Sequence, residues 1–336
     1  MTQNPELSEN EIERLLAALP RLRAEIGRAV IGQQAVVEEL LTAFVAGGHC
    51  LIEGLPGLGK TLLIRTLARA VHLDFQRIQF TPDLMPSDIV GTEVLEEDHV
   101  TGKRFFKFNQ GPIFGQIVLA DEINRTPPKT QAALLEAMQE RAVTYGGKTY
   151  ALPQPFFVLA TQNPIEQSGT YPLPEAQLDR FLLYLSIDYP NEREEETMIE
   201  NTTGSRDAPV AAVMTAEDIL RLQRLARQVS MSEDLLRYAV RVVRSSRDRS
   251  LPYVARWVRW GAGPRAGQAL VLAAKARALL AGRFSVTLDD VRALAAPVMR
   301  HRILLNFEAE SERLRTDDVV GELLRLVPEP RSPLSS

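Results

Sequence analysis

Cysteine is nearly absent: Cys50 alone occurs in 336 residues. No internal disulfide can form, and a reducing, cytoplasmic setting is expected. Four histidines (His49, His72, His99 and His301) are scattered without the spacing of zinc ligands. No apolar run approaches the roughly 18 residues that a membrane span requires. Met1 to Asn10 is polar and acidic, without the basic and then apolar order of a secretory signal. Charge of either sign is not in marked excess, since 39 basic against 43 acidic residues leave a net −4 and a pI near 5.8. Nothing in that balance points to nucleic acid. Aromatics are 6% of the chain, and 45% hydrophobic with 24% charged residues is ordinary for a soluble globular protein. The length predicts about two domains.

Ser8 to Val30 has helical periodicity, with Ile12, Leu15, Leu16, Leu19 and Leu22 on one side. Pro20 is expected to bend or divide that helix. A second helix is predicted from Gln33 to Phe44, ending before Gly47-Gly48. Short apolar runs then alternate with helical segments: His49–Glu53, Arg77–Phe80, Ile117–Asp121, Phe156–Thr161 and Phe181–Ile187. This pattern predicts an α/β fold, a doubly wound parallel sheet of about five strands covered by helices. Two stretches interrupt it. Val94–Phe108 reads as a hairpin turning at Asp98 to Gly102, and Val143–Leu152 as one turning at Gly146-Gly147. Beyond Pro190 the strand signal vanishes and helical patterns follow. The expected division is an α/β domain over 1–189, a smaller all-helical lid over 190–327 and a frayed tail over 328–336.

Gly54-Leu-Pro-Gly-Leu-Gly-Lys60-Thr61 fits the phosphate-loop pattern G-x-x-x-x-G-K-[ST]. Its glycines let successive backbone N–H groups surround a phosphate chain, and the helix beginning near Lys60 adds its positive end. The strand Cys50-Leu51-Ile52 before it and the amphipathic Leu62, Leu63 and Leu67 after it supply the context the motif requires. A glycine-rich turn with a surface lysine is the bland alternative. Gly54, Leu55, Pro56, Gly57, Leu58, Gly59, Lys60, Thr61 and Leu62 are thus the expected nucleotide contacts, with Lys60 reaching the β- and γ-phosphates and Thr61 ligating Mg²⁺. About 60 residues on, Ile117-Val-Leu-Ala ends in Asp121 and Glu122, which would face the ligand crevice at a strand's carboxyl end. Asp121 is expected to hold Mg²⁺, and Glu122 to orient and deprotonate the attacking water. Asn163, ending the next apolar strand, reads equally as a γ-phosphate contact or as a strand-end cap before Pro164.

Several strings together carry a specific likeness: Val30-Ile31-Gly32-Gln33, the phosphate loop, Leu119-Ala-Asp-Glu-Ile-Asn-Arg-Thr-Pro-Pro-Lys-Thr-Gln131, Ala160-Thr-Gln-Asn-Pro164, Tyr171-Pro-Leu-Pro-Glu-Ala-Gln-Leu-Asp-Arg-Phe181 and Gly261-Ala-Gly-Pro-Arg-Ala266. The sequence resembles the MoxR family of AAA+ ATPases over roughly Glu25 to Arg302. The resemblance implies an AAA+ nucleotide-binding domain with a helical lid, and ATP and Mg²⁺ as ligands. It makes Asn163 the sensor 1 residue, Arg180 an arginine finger acting on a neighbouring subunit's ATP, and Arg265 the sensor 2 arginine, in cis or in trans. Ile31, Gly32 and Gln33 match the segment lining the adenine pocket. Gly263 departs from the family, which commonly has serine there. The two hairpins resemble the family's pore-facing insertions.

A ring, expected to be a hexamer, follows from an arginine that works in trans. The resemblance further implies chaperone-like remodelling or metal-cofactor insertion on a client protein, with a partner bearing a von Willebrand factor A domain. A nucleic-acid motor is the rival, kept open by Lys103, Arg104, Lys107 and Lys148 on the hairpins; an ATP-gated scaffold is a third reading, which the intact Glu122 disfavours. The arginine row Arg221, Arg224, Arg227, Arg237, Arg241 and Arg244 reads as a solvated face diluted by neighbouring acids. Trp257 and Trp260, three apart, are expected to share a helical face in the lid core. Cys50 is expected to be a buried structural residue.

Overall fold

The computed structural model describes residues 7–97, 103–163, 169–203 and 210–330. Two helices come first, α1 (Glu9–Ala29) and α2 (Gln34–Ala46). Ser8 caps α1 by accepting from the Glu11 N–H, while the Glu11 carboxylate accepts from the Ser8 N–H. Pro20 lies within α1 and does not divide it. Its missing N–H falls on the exposed side, and the buried stripe Leu15, Leu19, Leu22 and Ile26 runs unbroken along the other. Each such side chain contributes about 1.5–3 kcal/mol on burial, which offsets the roughly 3 kcal/mol that a helical proline costs. Gly47 ends α2 in the left-handed conformation, with its N–H bonded back into the helix.

The α/β part follows as β1 (Cys50–Gly54), α3 (Lys60–Ala70), β2 (Phe75–Gln79) and α4 (Pro86–Val90). The hairpin β3 (Gly91–Glu97) and β4 (Arg104–Gln110) comes next; its expected turn, Asp98 to Gly102, lies outside the described residues. Then come β5 (Ile117–Asp121), α5 (Pro128–Glu140), the hairpin β6 (Ala142–Tyr145) and β7 (Lys148–Ala151), β8 (Phe157–Gln162), α6 (Glu175–Leu178) and β9 (Leu183–Ile187). Gly146 and Gly147 turn the second hairpin with φ of 56° and 76°, the paired left-handed geometry of a primed two-residue turn.

Five strands form one parallel sheet in the order β2-β5-β8-β1-β9. Side chains alternate between its faces. Cys50, Ile52, Ile117, Leu119, Phe157 and Leu159 pack on the side of α1, α2 and α3. Leu51, Val118, Ala120, Val158 and Ala160 pack on the side of α5. Cys50 is fully buried, as expected, and burial pushes its thiol pKa up.

Beyond β9 the chain is mostly helical: α7 (Glu192–Thr203), α8 (Ala216–Gln228), α9 (Glu233–Ser245), α10 (Pro252–Trp257), α11 (Pro264–Leu280), α12 (Leu288–Met299), α13 (Phe307–Ser311) and α14 (Thr316–Leu326). Two short strands, β10 (Val258–Trp260) and β11 (Leu304–Leu305), pair antiparallel among these helices, so the lid is not wholly helical as the periodicity predicts. The ribbon also corrects the reading of the tryptophans. Trp257 closes α10 and is buried, whereas Trp260 lies on β10 and is 71% exposed. Of the tail, residues 331–336 lie outside the described residues. Among the described residues no helix is long and apolar enough to cross a membrane.

Candidate nucleotide site

The loop after β1 takes its shape from two glycines. Gly57 and Gly59 have φ of 86° and 75°, and a Cβ at either would meet nothing within 4 Å. Backbone conformation, and not crowding, therefore demands glycine there. Gly54 differs: a Cβ on it would lie 1.9 Å from Ile187 Cγ2, so the close approach of β1 to β9 requires its bareness. Gly59 is the N-cap of α3 and supplies no side-chain acceptor, which leaves the first N–H groups of the helix for another partner. An open loop of left-handed glycines running into such a helix end fits a phosphate chain. The Lys60 ammonium donates to Gly54 O at 2.5 Å. Burial pulls its pKa below the ordinary lysine range, while Asp121, Glu122 and Glu53 pull it up.

Asp121 and Glu122 end β5, and Thr161 on the neighbouring β8 ties them together. The Thr161 hydroxyl donates to Asp121 Oδ1 at 2.8 Å and accepts from the Glu122 N–H at 2.8 Å. Arg77, on β2, pairs with Asp121 Oδ2 at 2.6 Å. Gln79 Nε2 donates to Glu122 Oε2 at 2.7 Å, and Arg125 Nε lies 3.4 Å from the same oxygen. Glu122 itself holds a left-handed φ of 59°, an uncommon backbone for a side chain of its size. Asn163 follows β8 and is buried. The oxygen donors of Thr61 and Asp121 suit a hard divalent cation. Gly32 has a φ of 74°, and Gln33 Nε2 donates to Asp188 O at 2.9 Å, just past β9. The sheet thus brings Ile31–Gln33, the phosphate loop, Asp121, Glu122 and Asn163 to its carboxyl edge.

Arg180 and Arg265 lie elsewhere. Arg180 precedes β9, which runs parallel to β1, and the Leu182 N–H donates to His49 O just before β1 begins. That is the amino end of the strands. Five residues of strand, about 16 Å, separate it from the phosphate loop. Arg265 lines the same cavity of about 300 Å³ as Arg180, His49 and Arg302, and its Nη1 is 3.9 Å from Asp179 Oδ2.

Residues 49–183 match the profile of the ATPase family associated with various cellular activities (AAA), and residues 253–323 that of the AAA lid domain. The chaperone MoxR1 of Mycobacterium tuberculosis is 42% identical over 316 residues, which span 93% of this chain and 82% of that protein. The chain belongs to the MoxR family of AAA+ ATPases. The MoxR protein of Paracoccus denitrificans is 33% identical over 86% of this chain and 89% of its own. A Cytophaga hutchinsonii protein, described with its crystal structure as a candidate ATPase, superposes with a TM-score of 0.87 at 39% identity over 95% of this chain and 97% of its own. What the motifs of this MoxR-family chain do not reveal is the support: Arg77, Gln79 and Thr161 around the carboxylates, and Asp179 and Arg302 around Arg180. Asp179 stands inside the Leu178-Asp-Arg-Phe181 string, but only its partner across the fold gives it a part.

Proposed function

We propose that this MoxR-family chain hydrolyses ATP to ADP and phosphate, works as a ring and spends the cycle on remodelling client proteins. The observation that carries the reading is the convergence of the glycine loop and Lys60 with the Thr161-bridged pair Asp121 and Glu122 at one sheet edge. Mg²⁺, held by Thr61 and Asp121, would neutralise phosphate charge and template the reacting groups. Lys60 binds the terminal phosphates. Glu122, oriented by Gln79 and by its bonded N–H, takes the proton of the attacking water. Asn163 positions that water. Ile31, Gly32 and Gln33 border the base.

Arg180 and Arg265 are the trans-acting pair in this reading. Both stand at the amino end of the strands, too far from their own phosphate loop, and both are available to a neighbour's nucleotide across a subunit edge. A guanidinium there meets the charge spreading over the transferring phosphoryl, an effect worth about 10³ to 10⁵ in rate. A closed ring, of six subunits by family analogy, supplies each site with such a pair.

The hairpins favour a protein client over nucleic acid. Val94, Leu95, Phe105 and Phe106 are exposed on β3 and β4, a surface suited to apolar peptide segments. The hairpin cations Arg104 and Lys107 are paired with Glu97 and Glu96. The chaperone name of the Mycobacterium tuberculosis relative and the family's association with von Willebrand factor A domain partners agree with this reading.

The test is steady-state ATP hydrolysis by wild type, Glu122→Gln and Arg180→Ala, with nucleotide binding and oligomeric state measured on the same samples. Both variants should bind ATP and assemble, and both should lose turnover by about 10² or more. Full activity in an assembled Arg180→Ala sample would remove the trans-acting finger; activity independent of oligomeric state would remove the ring.

A further inference from the structure

Arg302 directs four of its five hydrogen bonds to the segment that carries Arg180. Its side chain is 4% exposed. A guanidinium has five N–H donors, and here five bonds account for them. Nε donates to Asp179 Oδ1 at 2.6 Å, and Nη2 to the main-chain oxygens of Asp179 at 3.2 Å and Phe181 at 2.6 Å. Nη1 donates to Leu182 O at 3.2 Å and to Val298 O, in the preceding helix α12, at 2.5 Å. The two residues before it join in. His301 Nε2 faces Phe181 O at 3.2 Å while its ring stacks on Tyr184, and Arg300 Nη1 donates to Tyr184 O at 2.8 Å. Three consecutive residues after α12, in the lid, thus grip the backbone on both sides of Arg180. Among the described residues the Arg180 side chain itself makes no hydrogen bond or ion pair.

A buried guanidinium with every donor filled by protein is not a binding site for an external anion. It is a fastener, and its desolvation is repaid only by that complete set of partners. Its position is informative. Asp179 meets Arg302 on one side and Arg265 on the other, so the residue just before Arg180 carries a carboxylate that ties the fastener Arg302 to Arg265, the second arginine assigned to the neighbouring nucleotide. A group that must meet a developing charge across a subunit boundary needs a fixed backbone, because a shift of about 1 Å at such a point costs about 10² in rate.

We propose that Arg302, through Asp179, is the positioning residue for Arg180: the lid of one subunit sets the finger that serves the next subunit's site. The inference rests on the trans-acting reading of Arg180. It makes the lid part of the neighbour's catalytic apparatus, with Arg302 touching no substrate.

Mixing of variants tests it. A Glu122→Gln subunit has a disabled site and an intact finger; an Arg302→Lys subunit should have the reverse. Arg302→Lys alone, checked for assembly and for its thermal midpoint, should lose about tenfold or more in kcat with KM for ATP changed less than about twofold. Mixed with Glu122→Gln it should regain activity, since the intact fingers serve its intact sites. A defect confined to its own fold or site would not be restored by mixing, and that outcome overturns the proposal, as does wild-type turnover in an assembled Arg302→Lys ring. Asp179→Asn, which removes the charge and keeps the size, is measured alongside; it should show the same restorable loss if Arg302→Lys fails to fold, and normal turnover in it counts equally against the clamp. The Arg180→Ala and Glu122→Gln mixture is the reference. Recovery there but not with Arg302→Lys sinks the clamp alone, whereas no recovery in either sinks the finger on which it rests.

Discussion

Thr161 is the smallest group on which the two carboxylates depend. Its hydroxyl serves Asp121 and the Glu122 N–H together, so Thr161→Val keeps the shape and strands both partners. Leaving a buried donor unpaired costs about 1–3 kcal/mol. We expect a stability loss of that order and a fall in kcat of about tenfold, with ATP affinity nearly unchanged, read from urea unfolding and steady-state turnover. Why this residue escapes a sequence reading is plain from separation. The phosphate loop is legible because Gly57, Gly59, Lys60 and Thr61 act through one local turn and one helix end. Thr161 acts on a partner 40 residues away and Arg77 on one 44 away, and only the strand order makes them neighbours. Asn163 sits where the apolar run Phe157 to Ala160 ends, so its place at the strand's end was readable while its role was not.

At the scale of elements, the two hairpins are joined by rings. Phe108 of β4 stacks on Tyr150 of β7 at 4.4 Å and lies 5.1 Å from Tyr145 of β6. Aromatic pairs of this kind add about 0.5–1.5 kcal/mol each beyond burial. Phe108→Ala should therefore loosen β3–β4 without unfolding the protein. Limited proteolysis should cut within that hairpin several times faster, while the thermal midpoint falls by only a few degrees. The second hairpin could be read from Gly146-Gly147, since that pair specifies its turn directly. The lid ribbon could not. Trp260 pairs with Leu304 across the fold, and nothing within the Trp257–Trp260 spacing separates a helix from a helix end followed by a strand. Pro20 does not divide α1, because a local rule against proline in helices is outweighed by the buried stripe opposite it.

For the whole molecule, Glu39 is a titrating group between sheet and lid. Burial pushes its carboxyl up to about 7, with Asp317 adding to the rise and Arg300 of the lid opposing it. A folded-state value above the ordinary 4.5 means that the protonated form is the one folding favours. Its contribution is complete below about pH 4.5 and is lost as pH rises to about 7, at no more than about 1.4 kcal/mol per pH unit. Buried His49, held down to about 4, and His301, held well below its ordinary value, act with the opposite sign and lose stability as pH falls below 6.5. Glu39→Gln isolates the first effect: urea midpoints at pH 5, 6, 7 and 8 should show the variant gaining steadily on wild type up to neutral pH and running parallel above it.

The family profiles divide the chain in two, but its interior does not follow them. One hydrophobic cluster runs without a break from Leu15 and Leu19 of α1 through Leu40 and Phe44 of α2 and the sheet to Leu222 of α8, Leu270 of α11, Val298 of α12 and Leu323 of α14. Scanning calorimetry of the dissociated chain should accordingly record a single heat-absorption peak, with the van't Hoff enthalpy equal to the calorimetric one. A fragment stopping near Pro190 would bare the apolar side of α2 and precipitate, so lid and nucleotide domain are one melting unit that must be made, and lost, together.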